Sequence, residues 1–389
     1  MRPFVPFVPV VRGAAAVAVL AAGALLAGCT STAPVAGGGG GSGGGPVTVS
    51  AGDTSCTLST TTAPAGNVAF SVVNSGSTVT EFYVYGPGDR ILGEVENVGP
   101  GLTRQLLVEI PQGGTYTTAC KPGMVGDGIR APFTVTGAVP GSAGADTGLA
   151  SAVAGYKRYT TSQVEALVPR TQEFADAVKR GDVAGAKALY PVSRTYWERV
   201  EPVAESFGDI DPRIDGREDD ERDPGVGFTG YHRLERDLWA TGLQPDSGAI
   251  ADRLVADVRD LQTRVASVEL TPVQMANGAK ELLDEVSTGK ITGEEDRYSH
   301  TDLWDFKANI DGSQAAVSAL RPALDQRDPA LGPALDQRFA DVDRLLETYR
   351  VGDGFRLYTE LTPEDTRRMS EAVDALGEPV SQVAGVVSA

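Results

Sequence analysis

Histidine is nearly missing from this chain. Its 389 residues include two, His232 and His300, so the first 231 offer no imidazole to a metal or to catalysis. Three cysteines and 6% aromatic residues continue the shortage. A helical zinc peptidase requires His-Glu-x-x-His, two imidazoles one turn apart with a glutamate base between them, and no such run exists here. The serine-hydrolase elbow Gly-x-Ser-x-Gly occurs only inside the polyglycine stretch 37–45, and a serine triad would have to take its base from one of the two histidines. The familiar hydrolases are thereby excluded, and no enzymatic activity is expected. Positive charge is short too: 34 basic against 52 acidic residues give a net charge of −18. Such a field repels phosphate backbones and attracts cations, which argues against a nucleic acid partner. The one long apolar run, Ala14 to Leu26, is shorter than the ~20 residues that span a bilayer.

What is present begins with an export signal over residues 1–28. Arg2 and Arg12 precede or border the apolar run, and Leu26-Ala27-Gly28-Cys29 closes it as a small-residue cleavage site followed by cysteine. That ending resembles a bacterial lipobox, which implies cleavage before Cys29, lipidation of its thiol and a protein lipid-anchored on the outer face of the cytoplasmic membrane. Residues 29–45, rich in Gly, Ser, Ala and Pro, have too little apolar surface to fold and read as a flexible tether. Export places Cys56 and Cys120 where a disulfide is permitted.

Two textures follow. Over 46–137, short runs rich in Val, Thr, Phe and Tyr are broken by Gly, Pro, Asn and Asp: 67–74, 80–85, 91–98, 103–110, 115–119 and 132–136. Six or seven strands in so short a region predict a small β-sandwich. A linker is expected over 138–158, and 159–389 turns to helical periodicity, as in Val164, Leu167, Val168, Thr171, Ala175 and Val178. Thr161 or Ser162 is available to cap that first helix and Gly181 to end it. Further helices are expected at 182–207, 229–241, 247–267, 272–288, 301–324, 330–350 and 362–387, with Pro191 and Pro202 kinking or splitting the first of these. The fold class is therefore a β-sandwich followed by an all-α bundle.

The helical region carries the chemistry. His232 and Glu235 are three residues apart, as are Glu198 and Glu201, a spacing that puts each pair on one helix face. Two such faces meeting would aim one imidazole and three carboxylates at a common point. The acid-rich turn 209–223 and the segment 292–306 add further carboxylates. A site of oxygen ligands and one imidazole suits a hard or borderline cation, Fe(III), Mn, Ca or Mg. Crowded carboxylates hold protons until a cation displaces them, so affinity should fall with pH. The plainer alternative is an exposed glutamate stripe and a histidine satisfied by its surroundings.

Tyr196-Trp197-Glu198-Arg199-Val200-Glu201-Pro202, Gly230-Tyr231-His232-Arg233-Leu234-Glu235 and the stretch from Gly293 to Phe306 resemble the imelysin-like family, in particular its extracytoplasmic iron-uptake members. The resemblance implies a bilobal helical bundle whose metal ligands are His232 and Glu235, joined by Glu198, Glu201, Asp215 and Glu295. It implies iron, Fe3+ or Fe2+, as the bound ion. The partners it implies are a membrane iron permease of the same system and an extracytoplasmic haem peroxidase.

The β region, with Cys56, Glu81, Glu96, Cys120 and Met124, resembles the cupredoxin-like domain that precedes the bundle in longer members. It departs from blue copper proteins, which use two histidines, a cysteine and an axial methionine, because it has no histidine. The resemblance implies that Cys56, Cys120 and Glu81, with Glu96 or Met124, bind copper or a second iron; a structural disulfide and a redox-active pair remain open. An acidic-polysaccharide-binding or adhesion protein with a structural metal site is the alternative function, for which Trp197, Trp239 and Trp304 are the stacking candidates.

Overall fold

The computed structural model describes residues 45–139, 146–218 and 227–389. The export signal, Cys29 and all of the tether but its last residue lie outside the described residues, as do 140–145 and 219–226. No described helix is long and apolar enough to cross a membrane.

Alternating burial builds the first domain. β4 (Gly66–Asn74) buries Val68, Phe70 and Val72 with the pleat, and β5 (Thr80–Tyr85) turns Phe82 and Val84 the same way. Among the described residues, nine strands form its two sheets. One has the order β2-β1-β4-β7, with β1 (Val47–Ala51), β2 (Cys56–Leu58) and β7 (Thr103–Ile110). The other runs β3-β9-β8-β5-β6, with β3 (Thr62–Pro64), β6 (Ile91–Val98), β8 (Gln112–Pro122) and β9 (Ile129–Ala138). The six strands expected from periodicity are present, and β1, β2 and β3 are additional. Two of the pairings, β1 with β4 and β3 with β9, are parallel.

The second domain is helical. α1 (Thr147–Lys179) starts inside the stretch read as linker, because Asp146 caps it by accepting from the amides of Gly148 and Leu149. Thr161 and Ser162, expected near its start, lie mid-helix, and Ser162 bonds back to the carbonyl of Tyr159. The predicted helix 182–207 is divided: α2 (Val183–Glu198) tolerates Pro191, whereas Pro202 sits in the first turn of α3 (Glu201–Glu205). There follow α4 (Asp211–Ile214), α5 (Gly230–Arg236), α6 (Ser247–Ser267), α7 (Pro272–Thr288), α8 (Asp302–Arg327), α9 (Leu331–Glu347), α10 (Pro363–Val380) and α11 (Val383–Ser388).

α8 is the central helix, packed against α1, α2, α7 and α9. It is therefore buried nearly all round, and its Asp302, Asp305, Asn309 and Ser313, repeating at helical spacing, lie in the interior. Polar groups so placed must find partners: Asp305 and Asn309 meet Arg194 and Glu198 of α2, Asp302 accepts from the Asp296 amide, and Ser313 donates to the Ala279 carbonyl of α7. The two domains pack directly on one another: the amide of Ile91 bonds the Ser206 carbonyl at 3.0 Å, and Asn277 and Gln274 of α7 donate to the carbonyls of Leu107 (2.9 Å) and Leu92 (3.3 Å).

Candidate metal centre

Two glycines bring the elements of the site together. Gly230 (φ +78°) starts α5 where a Cβ would lie 2.2 Å from the Ile214 carbonyl oxygen, so α5 enters beside the end of α4 and sets His232 next to Asp215. Gly312 lets α8 approach the Arg199 carbonyl, where a Cβ would come within 2.7 Å, and this seats Asn309 on Glu198.

His232 is 2% exposed. Its Nδ1 lies 3.1 Å from Glu235 Oε2, and its Nε2 lies 3.5 Å from both Asp215 Oδ1 and Glu295 Oε1. Nε2 has no hydrogen-bond partner among the described residues, although it is buried. Ligand atoms from Asp215, His232 and Glu295 lie within 4.8 Å of one another, as do those of Glu198, Glu201 and Asp215. Asp215 belongs to both groups, so the two acidic patches are continuous.

Glu235 has a different place from the one expected of a ligand beside His232 on the same ion. Fully buried, it spends Oε1 on the amides of Tyr298 (3.0 Å) and Ser299 (2.7 Å) and turns Oε2 to Nδ1. A carboxylate on Nδ1 fixes the ring and leaves Nε2 aimed at Asp215 and Glu295, the arrangement of a carboxylate that orients a metal-binding imidazole. Glu235 meets an ion directly only through the Nδ1 side, with Asp296.

The residues that motif reasoning missed are cations and their anchors. Arg194, fully buried on α2 one turn before Glu198, reaches Asp305 at 3.0 Å and Glu295 at 3.2 Å and pairs with Asp215 and Glu198. Lys290, 2% exposed, pairs with Glu198, with Glu201 at 3.1 Å and with Glu285 at 3.3 Å. Asn309 donates to Glu198 and Glu201, each at 3.1 Å, and Tyr190 donates to Asp296 at 2.8 Å. Internal cations thus carry part of the neutralisation that carboxylate crowding alone would assign to a metal. The detectable signal was the spacing Tyr190, Arg194, Glu198, three polar groups along one buried helix face.

Protonation divides the centre. Burial and Arg194 oppose charge on His232, but Asp215, Glu235 and Glu295 outweigh them and push its pKa up to about 10. Burial works against Asp215 as well, yet Arg194 and His232 hold it below the usual carboxylate range, and Lys290, His232 and Arg217 do the same for Glu295 against its burial. Glu198 and Glu201 go the other way, raised first by burial and then by carboxylate neighbours, Glu201 and Glu285 respectively. Two ionised carboxylates flank an imidazolium whose proton an incoming cation must displace. The donor set, nitrogen and oxygen without sulfur, fits a hard or borderline ion.

The β domain departs from the expectation made for it. Cys56 and Cys120 form a disulfide that joins β2 of one sheet to β8 of the other, so neither sulfur is a thiolate ligand. Register also separates them from the acids. Cys120 pairs with Phe82 and faces the sandwich core, whereas Glu81 pairs with Lys121 on the outer face. Glu81 and Glu96 instead meet on the Tyr83 hydroxyl, each at 2.8 Å. Met124 lies in the turn after β8, half-buried, at φ +62°. His300 stands in the turn before α8, and Trp197, Trp239 and Trp304 pack within or against the helical core.

Residues 152–383 match the family model described as imelysin, and residues 18–135 match that of the cupredoxin-like domain. The chain belongs to the imelysin family. Among its relatives are the iron uptake system component EfeO of Escherichia coli strain K12 and that of Shigella flexneri. Each is 38% identical over 346 residues, which cover 88% of this chain and 91% of the relative. A solved structure of a putative iron-regulated protein A precursor from Parabacteroides distasonis is 15% identical over 64% of this chain and 97% of its own, with a TM-score of 0.46, a likeness too low to add to the family assignment. As an imelysin, the chain joins a helical domain of that family to a cupredoxin-like sandwich.

Proposed function

We propose that this imelysin is the extracytoplasmic, lipid-anchored iron-binding component of an iron-uptake system, acting as a carrier and not as an enzyme. Iron is its cargo. His232 Nε2, Asp215 and Glu295 receive the ion, Glu198 and Glu201 extend the oxygen ligand set, and Glu235 holds the ring. Delivery is to a membrane permease, with an extracytoplasmic haem peroxidase as a second partner.

The observation that carries this reading is the unpartnered, buried Nε2 of His232 facing two carboxylates at 3.5 Å. The names of the EfeO relatives supply the choice of iron among hard cations. Anaerobic isothermal titration of the two-domain protein with Fe(II), repeated with Fe(III) citrate, should give tight binding that His232→Ala abolishes. Retained affinity in that variant overturns the assignment.

A further inference from the structure

A second acidic group lies between the domains. Ligand oxygens of Glu94 on β6, Glu205 at the end of α3 and Glu281 on α7 lie within 4.8 Å of one another. One ion spans oxygens that far apart with metal–oxygen distances of about 2.0–2.6 Å. These carboxylates line a cavity of about 100 Å³ between the sandwich and the helices. Lys280, which also lines it, pairs with Asp284.

Glu94 supplies the independent observation. It is 8% exposed and has no hydrogen-bond or ion-pair partner among the described residues. Its carboxyl opens on the cavity and meets no protein partner there. Its position follows from the pleat: Glu94 pairs with Tyr83 on the outer face of its sheet, and that face meets α7. Where Arg194 and Lys290 make ion pairs within the His232 centre, Lys121 and Lys280 act on Glu94 and Glu281 only through space, and no cation among the described residues makes an ion pair with these three carboxylates.

The cluster is also connected. Glu205 lies within the same 4.8 Å limit of Glu201 and Asp211, Glu201 of Glu198 and Asp215, and Asp215 of His232 and Glu295. Carboxylates therefore lead from the interdomain cavity to the metal centre without a gap, with Lys290 beside the middle of the path.

We propose that Glu94, Glu205 and Glu281 form a second site, for a hard multivalent cation, and that it feeds the His232 centre along Glu205, Glu201 and Asp215. The site itself stands apart from the iron-carrier reading; the feeding step rests on it.

Equilibrium dialysis of the two-domain protein against Mn2+, with metal analysis, tests the site. Two ions per chain are expected in the parent, one in the double variant Glu94→Gln/Glu281→Gln, and one in His232→Ala. The ion kept by the double variant verifies that its helical domain is folded, and Glu205→Gln gives a second, independent removal of one ligand. An undiminished count in the double variant and in Glu205→Gln, whatever the parent's total, overturns the second site. A count that falls in the double variant but not in His232→Ala overturns the iron-carrier reading instead. Stopped-flow loading completes the test: the His232 centre should fill at least about tenfold more slowly in the double variant, and an unchanged rate overturns the feeding step.

Discussion

The sandwich and the bundle each carried candidate metal ligands, and the fold resolved them differently. In the bundle, Glu198 and Glu201, His232 and Glu235 lie on common helix faces, and α2, α3 and α5 turn those faces inward. In the sandwich, Glu81 and Cys120 sit on neighbouring strands yet point to opposite sides of one sheet. A helix returns to the same face after three or four residues, whereas a strand changes face with every residue. One position of register is enough to separate a sulfur from a carboxylate by the thickness of a sheet.

The sharpest way to test that contrast is to remove the cation the bundle carries within itself. Arg194→Met leaves Glu198, Asp215 and Asp305 without their shared partner, and breaking a buried ion pair in this way costs about 3–5 kcal/mol. Denaturant unfolding of the metal-free protein should show that loss; a variant as stable as the parent would mean that the carboxylates are protonated throughout. Cys56→Ser comes next. Losing the bridge should destabilise the sandwich by about 2–5 kcal/mol and leave iron uptake unchanged by calorimetry. A fall in uptake at unchanged stability would return the cysteines to the ligand set.

Smaller effects sharpen the roles of the two ring nitrogens. Glu235→Gln keeps a hydrogen-bonding group on Nδ1, so iron affinity should drop by about 10–100-fold, the usual effect of disturbing a ligand's orienting partner, where His232→Ala removes binding. Equal losses in the two variants would make Glu235 a ligand. The mildest test is pH. With its pKa raised to about 10, His232 is an imidazolium at neutral pH in the metal-free protein. Its contribution to stability is complete below its unfolded pKa of about 6.5 and is lost as pH rises through about 10. Metal binding has the opposite sign, gaining about tenfold per pH unit for each proton displaced. Titrations in buffers of different ionisation enthalpy should report at least one proton released per ion at pH 7.5, and none released would remove His232 from the ligand set.

Much of the fold was legible because both periods were clean. The runs 80–85, 91–98 and 103–110 became strands with those bounds, and the helices at 247–267 and 272–288 likewise. Short strands such as β2 and β3, three residues each, carry too few alternations to be read. The start of α1 was hidden by Ala, Gly and Ser, whose composition resembles linker until a tertiary surface buries Ala152 and Tyr156. For the site, residue types and spacing pointed to His232, Glu235, Glu198 and Glu201, and the family resemblance added Asp215 and Glu295, but no pattern in the sequence marked Arg194 or Lys290. Only burial turns a charge into a partner that must be satisfied.

By itself, then, the order of residues determined the division into a strand-rich and a helix-rich domain, the acid excess and the faces on which Glu198, Glu201, His232 and Glu235 lie, because these are local and periodic properties. The tertiary structure decided which ring nitrogen of His232 is left free, which cations share the centre, that the cysteines join two sheets, and that Glu94 meets Glu205 and Glu281 across the domain boundary. Those outcomes depend on which surfaces exclude water together, and no local spacing records that.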